Sequence, residues 1–433
     1  CSSRTKGNSS SKKISFINKE GLNFLLIPLK ESHNITFLIL VKAGSEYESE
    51  KEAGISHFLE HMCFKGTEKR PNKKILSTEL DSIGASYNAF TGREYTGYFA
   101  KAATEHIDKI LDIISDIYLN SLFKEEEINK ERGVILEEKN YYEDTPRLKI
   151  EDLIFELLYK NQPSGQPIIG NEKVIKSLTQ KDFIRYKNKH YTNEKTLIVL
   201  SGNFNPTEAI KKITNLMKNI KRGKGGQKFK THYKQTKPAI LINPKKTDQN
   251  HFILAARAFN CFDKRRYTLS VLSTILGEGM SSRLFQKVRE DLGAAYYINS
   301  FDELGVDHGF LGISSGVSLD KTEEVLRVIK NELDLLKNVE ISNEELKKAK
   351  NYIKGKLALS LETSNDYAFH YGLQYLIYNK IYPLKEIYKK IDEVDKKSIQ
   401  NLARFLFRPE KMNLAIIGNY SQKEEGKFKK LII

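Results

Sequence analysis

The chain has 433 residues, which exceeds one ordinary domain, so two or three domains, each burying its own core, are expected. Hydrophobic residues make up 39% and charged residues 29%, and the longest apolar run, Phe37 to Val41, stops at Lys42; it falls far short of the roughly 18 residues needed to cross a bilayer, which excludes a transmembrane segment. The net charge of +16 raises the question of nucleic acid, but the lysines are spread along the chain and interleaved with glutamates, as in KEEEINKERGVILEEK, so they read as a solvated surface without a nucleic-acid motif.

In chain order, the first feature is Cys1. It lies far from Cys63 and Cys261, no C-x-x-C pair occurs, and neither a disulfide framework nor a cysteine zinc site is expected. A reducing compartment and a cytoplasmic location follow. The alternative is a lipoprotein anchored through Cys1, since Cys-Ser-Ser suits a lipidated terminus as well as a trimming boundary. Strand-like runs come next, at 24 to 29 and 35 to 41. They lead into GISHFLEHM, residues 54 to 62, on which His57 and His61 share one helix face at i and i+4 with Glu60 beside them. Two imidazoles so placed suit zinc, but a catalytic zinc takes three protein ligands, so one more must come from elsewhere.

Helical periodicity then predicts helices over 104–120 and 124–142. On the second, Glu131 and Glu138 are seven apart and lie on one face. A further strand is expected at 196 to 201. The stretch KRGKGGQKFK, residues 221 to 230, lacks any apolar period and reads as a linker. Helices are predicted again over 319–336 and 342–360. The mixture is α+β, divided as an N-terminal domain over 1–220, a linker over 221–235 and a C-terminal domain over 236–433.

The two halves resemble each other. SIGASYNAF at 82 to 90 matches DLGAAYYIN at 291 to 299, and LIVLSGNF at 197 to 204 matches LAIIGNY at 414 to 420, with offsets of 209 and 216. Two similar domains, each a mostly antiparallel sheet packed by helices, are therefore expected from an internal duplication. The second copy serves as a control on the first. Laid over TLSVLSTIL, His57, Glu60 and His61 face Val271, Thr274 and Ile275, while Glu131 and Glu138 face Ala349 and Lys356. A solvated face would explain any one of these polar residues, but not their joint loss.

These motifs resemble the inverted zinc metallopeptidases of the pitrilysin and insulinase type, especially short bacterial members and the β-subunit of mitochondrial processing peptidase. The resemblance runs from about residue 14 to 420. It implies one zinc ion per chain held by His57, His61 and a glutamate; the 76 residues between His61 and Glu138 match the family's spacing and select Glu138 over Glu137. It implies Glu60 as general base and Glu131 as a second acidic residue needed for activity. Arg289 and Tyr296 in KVREDLGAAYYIN would bind the substrate backbone, with Tyr297 as a rival and GAAY standing where the family usually has GLAY. The stretch YNAFTGREYTGYFA, residues 87 to 100, is similar to the family's strand beside the zinc, so Asn88 and Ala89 would lie near a peptide that adds as an extra strand. The implied activity is zinc-dependent endopeptidase action on unfolded peptides or presequences inside a chamber. The other reading is a non-catalytic or partner-dependent subunit. Relatives enclose substrate between two halves of two domains each, so this chain implies a homodimer with a peptide or unfolded polypeptide as its substrate and no nucleic acid.

Overall fold

The computed structural model describes residues 14–433, so Cys1 and the lipoprotein reading attached to it lie outside the described residues. Two mixed sheets form, one per half. The first contains β1 (Ser15–Lys19), β2 (Leu22–Pro28), β3 (Asn34–Val41), β4 (Ser86–Thr91), β5 (Thr96–Ala103) and β6 (Thr196–Gly202), in the order β1-β2-β6-β3-β5-β4. The second contains β7 (Ala239–Pro244), β8 (Asn250–Arg257), β9 (Ala295–Leu304), β10 (Gly309–Val317) and β11 (Met412–Gly418), in the order β7-β11-β8-β10-β9. Only β2 with β6 and β7 with β11 run parallel. Apart from the added β1, the two strand orders are the same, which is the duplication expressed as topology.

The repeat also appears in single residues. Gly84 and Gly293, matched in sequence, precede β4 and β9 with φ of 62° and 55°. A Cβ there would meet no neighbour within 4 Å, so glycine is favoured by the left-handed backbone itself.

The first half carries α1 (Ile55–Cys63), α2 (Lys73–Asp81), α3 (Ile107–Asn120), α4 (Glu125–Asp144), α5 (Pro146–Tyr159), α6 (Glu172–Ser177), α7 (Gln180–His190) and α8 (Pro206–Leu216). Then come α9 (Arg266–Gly277), α10 (Thr322–Asn338), α11 (Asn343–Leu359) and α12 (Ser364–Tyr378). The start of α4 carries Glu125, Glu126 and Glu127 against the positive end of its dipole. It breaks at Thr145, and Pro146 opens α5 at a position where a missing N–H costs nothing. Among the described residues no helix is long and apolar enough to cross a membrane.

The helices do not all stay with their own half. One main core lies under α1 and α3 on the first sheet and another under α9 and α10 on the second. The opposite face of the first sheet (Leu25, Ile27, Leu38, Leu40, Val199) is covered by Ala368, Tyr371 and Leu376 of α12. Reciprocally, Ile150, Leu153, Ile154 and Leu158 of α5 cover Ile253, Ala255, Ala415 and Ile417 of the second sheet. The halves therefore exchange equivalent helices. Between α8 and β7, residues 222–238 form no helix or strand. They are nonetheless pinned: Gly226 N–H donates to Lys189 O at 2.8 Å and Phe229 N–H to Glu46 O at 3.1 Å.

Ile154 is 1% exposed. Its truncation in Ile154→Ala leaves a cavity between the halves, and we expect a cost of about 2–5 kcal/mol. Because each half carries part of the other's core, calorimetry should show one lowered transition; two separated transitions would contradict the interlocking.

Candidate metal centre

Helix α1 enters through Gly54, whose φ of 97° and approach to Ile169 O, 2.6 Å from where a Cβ would stand, leave no room for a side chain. The buried Glu48 carboxylate accepts from Gly54 N–H and Ser56 N–H, both at 2.7 Å, and so closes the helix start. One face of α1 meets the apolar core through Phe58, Leu59 and Met62. Cys63, fully buried with Sγ 3.6 Å from Tyr98 Oη, acts as a small core side chain. The other face presents His57 and His61, with ring centroids 4.6 Å apart.

Helix α4 packs across α1 and brings Glu138 to both rings. Its Oε1 lies 3.7 Å from His57 Nε2 and its Oε2 lies 3.7 Å from His61 Nε2. Glu137 is exposed. One donor atom from each residue lies within 4.8 Å of the other two, against the roughly 3.3–3.6 Å that separates donors held at about 2.0–2.2 Å on a tetrahedral zinc, so the residue types fit one such ion once it draws them together. The electrostatics also suit a cation: burial, and secondarily His61, hold His57 down at about 3, which favours the neutral imidazole that ligation needs.

Two turns earlier on α4, Glu131 Oε1 accepts from His61 Nδ1–H at 2.9 Å, and the other ring nitrogen, Nε2, faces Glu138. Its Oε2 pairs with Lys65 Nζ. Burial alone would raise the Glu131 carboxyl, but the His61 and Lys65 partners outweigh it and the group is lowered, so it stays an anion. Glu60 is 9% exposed, and burial raises its carboxyl, partly offset by the Thr91 hydroxyl. Thr91 Oγ1 donates to Glu60 Oε2 at 2.5 Å.

His57, Glu60, His61, Thr91 and Glu138 open onto a cavity of about 690 Å³. One wall is β4, an edge strand whose outer side is unpaired. Asn88 and Ala89 line this wall. The Ala89 N–H is held by Asn88 Oδ1 at 2.9 Å. The opposite wall comes from α5 and from Glu303, Leu304, Gly305 and His308 of the second half.

Arg289 and Tyr296 do not line this cavity. Arg289 is exposed, its guanidinium 5.1 Å from the Phe285 ring. Tyr296, the second residue of the edge strand β9, has 76% of its surface free. The rival Tyr297 is engaged, with its Oη 3.2 Å from His251 Nδ1 and Arg147 over its ring.

Sequence reasoning missed Thr91, Lys65 and a buried ionic cluster between the halves. Lys228 Nζ lies 2.8 Å from Glu46 Oε2 and 2.7 Å from Asp307 Oδ1, and His308 Nδ1 lies 3.0 Å from Asp307 Oδ1. Glu94, pushed up to about 7 by burial and then by Glu46, accepts from Val306 N–H at 2.8 Å. No spacing rule links residues so distant in the chain. In the second half, Val271 and Ile275 are buried apolar groups, as is Ala349 on α11, which packs on α9 as α4 packs on α1.

A family model described as Insulinase (Peptidase family M16) matches residues 23–172, and one described as Peptidase M16 inactive domain matches residues 177–353. An "uncharacterized zinc protease" of Bacillus subtilis is 34% identical over 390 residues, covering 90% of this chain and 94% of its own. One from Rickettsia felis is also 34% identical over 390 residues, covering 90% and 93%. Among solved structures, a protease from Helicobacter pylori superposes with a TM-score of 0.86 at 24% identity over 94% of this chain and 99% of its own. That likeness concerns the fold.

Proposed function

The chain belongs to peptidase family M16, the insulinase family, and we propose that it is a zinc-dependent metalloendopeptidase acting on unfolded peptides or presequences inside its cavity. The observation that carries this reading is the convergence of one donor atom each from His57, His61 and Glu138, all within 4.8 Å of one another. His57, His61 and Glu138 would hold one zinc ion per chain. Such an ion supplies Lewis-acid polarisation of a carbonyl and acidification of water.

The chain's own residues do the rest. Glu60 takes a proton from the attacking water and delivers it to the leaving amine nitrogen as the C–N bond breaks. Glu131 keeps the His61 ring in the tautomer and orientation that ligation needs. A peptide adds to the open edge of β4 beside Asn88 and Ala89, where main-chain hydrogen bonds bind with little sequence demand. It takes the Ala89 N–H in exchange for the Asn88 side chain. The division into a catalytic domain over 1–220, a linker over 221–235 and a substrate-contacting domain over 236–433 belongs to the same proposal.

Arg289 and Tyr296 are donors suited to a peptide carbonyl. Because both lie outside the cavity of their own chain, their contribution calls for a second copy, and we infer a homodimer. Light scattering at working concentration is expected to give twice the 49.8 kDa chain mass; a fully active monomer would contradict the inference. Free, buried Cys63 and Cys261 support a reducing, cytoplasmic setting.

The function is tested by incubating purified protein with a mixed peptide library and reading the fragments by mass spectrometry. Internal cleavage is expected, abolished by a chelator and restored by added zinc. Cleavage that persists after complete metal removal would overturn the reading.

A further inference from the structure

We propose that Thr91 is a positioning residue that decides which oxygen of Glu60 takes part in proton transfer, an inference that rests on the peptidase reading above. Thr91 closes strand β4. Along that strand, side chains alternate between the two faces. Tyr87 and Ala89 belong to the core under α1, whereas Phe90 packs against Phe369 of α12, with ring centroids 5.2 Å apart. The alternation carries the Thr91 hydroxyl to the α1 face, where it meets Glu60.

The contact is short and specific, 2.5 Å from Thr91 Oγ1 to Glu60 Oε2. Among the described residues, no other side chain or backbone group donates a hydrogen bond to this carboxylate. The register pairing of Thr91 with Thr96 fixes the backbone beneath it, and a β-branched side chain holds its χ1 stiffly. Oε2 is thereby occupied, and Oε1 is the oxygen left free for the proton.

Hydrolysis requires two transfers. As the water oxygen bonds to the carbonyl carbon, one O–H bond breaks and its proton passes to Glu60 Oε1. As the C–N bond breaks, that same proton passes to the amine nitrogen. With Oε2 held by Thr91, both transfers use one oxygen aimed at one place. Without the hydroxyl, the carboxylate can rotate about its terminal torsion, and the proton can reside on an oxygen facing away from the amine.

The test compares Thr91→Val, Thr91→Ala and Thr91→Ser for kcat, KM, zinc content and melting temperature. Removing a hydrogen bond to a charged group is expected to lower kcat about 10- to 100-fold in the valine and alanine variants. KM and zinc content should stay at parental values, and serine should restore kcat to within about threefold. A kcat near the parent's in both hydroxyl-free variants would overturn the inference. So would a serine variant as slow as valine, or a loss of zinc matching the loss of rate. A parent inactive toward every peptide would overturn the peptidase reading and this inference with it, whereas an active parent with unimpaired Thr91→Val would overturn the inference alone.

Discussion

A Glu60→Gln variant is expected to retain the parent's zinc and to hydrolyse peptides about 10²- to 10⁴-fold more slowly, the usual contribution of a positioned general base. The substitution preserves size, and a carboxamide oxygen can still accept the Thr91 hydroxyl that now reaches Glu60 Oε2. His57, His61 and Glu138 are untouched. What disappears is the ability to take a proton, because an amide has no basic oxygen near neutral pH. Burial already raises the Glu60 carboxyl toward the range where a base both accepts and releases protons readily. Initial rates on a cleaved library peptide, with zinc measured by atomic emission on the same preparation, check both parts. Hydrolysis at near-parental rate in a clean preparation would remove Glu60 from the mechanism.

His61→Ala is expected to fail at an earlier stage. It removes one imidazole from a three-donor set and leaves His57 and Glu138 as a two-point site, so zinc content should fall to background and hydrolysis with it. It also removes the donor on Glu131 Oε1, while Lys65 continues to balance that charge; the fold should therefore survive. Zinc analysis after dialysis against metal-free buffer, together with circular dichroism, separates metal loss from unfolding. A folded His61→Ala protein carrying a full equivalent of zinc would contradict the ligand assignment.

Much of the site was legible because helices are periodic. His57, Glu60 and His61 fall on one face by spacing alone, as do Glu131 and Glu138, and the absence of all five from the second half separated them from residues that packing requires. The convergence of Glu138 on the two rings was not legible from the residues themselves. It depends on how α4 crosses α1, and only the resemblance to known metallopeptidases pointed to it. The repeat was readable from short matched stretches, down to the left-handed glycines at 84 and 293.

The exchange of α5 and α12 left no mark in the sequence. An amphipathic helix records that one face is apolar, not which sheet covers it. Thr91 escaped notice because a threonine at the end of a strand is ordinary until its neighbour is known. The Glu46, Lys228, Asp307 and His308 cluster draws on both halves and the segment between them. Glycine and lysine in that segment signalled a flexible connection, whereas Lys228 is held by two carboxylates. Only the resemblance to known metallopeptidases pointed to Arg289 and Tyr296, and it does not reveal that they stand outside the cavity holding the histidines.

The traded helices also limit how substrate can enter. To swing the halves apart, α5 would have to peel from Ile253 and Ile417, and α12 from Leu38 and Val199, exposing several dry apolar faces at once. Hinge opening within one chain is therefore costly, because both shared cores would have to separate together. Under the proposed function, a polypeptide would therefore have to enter past the rim of the cavity without the halves parting.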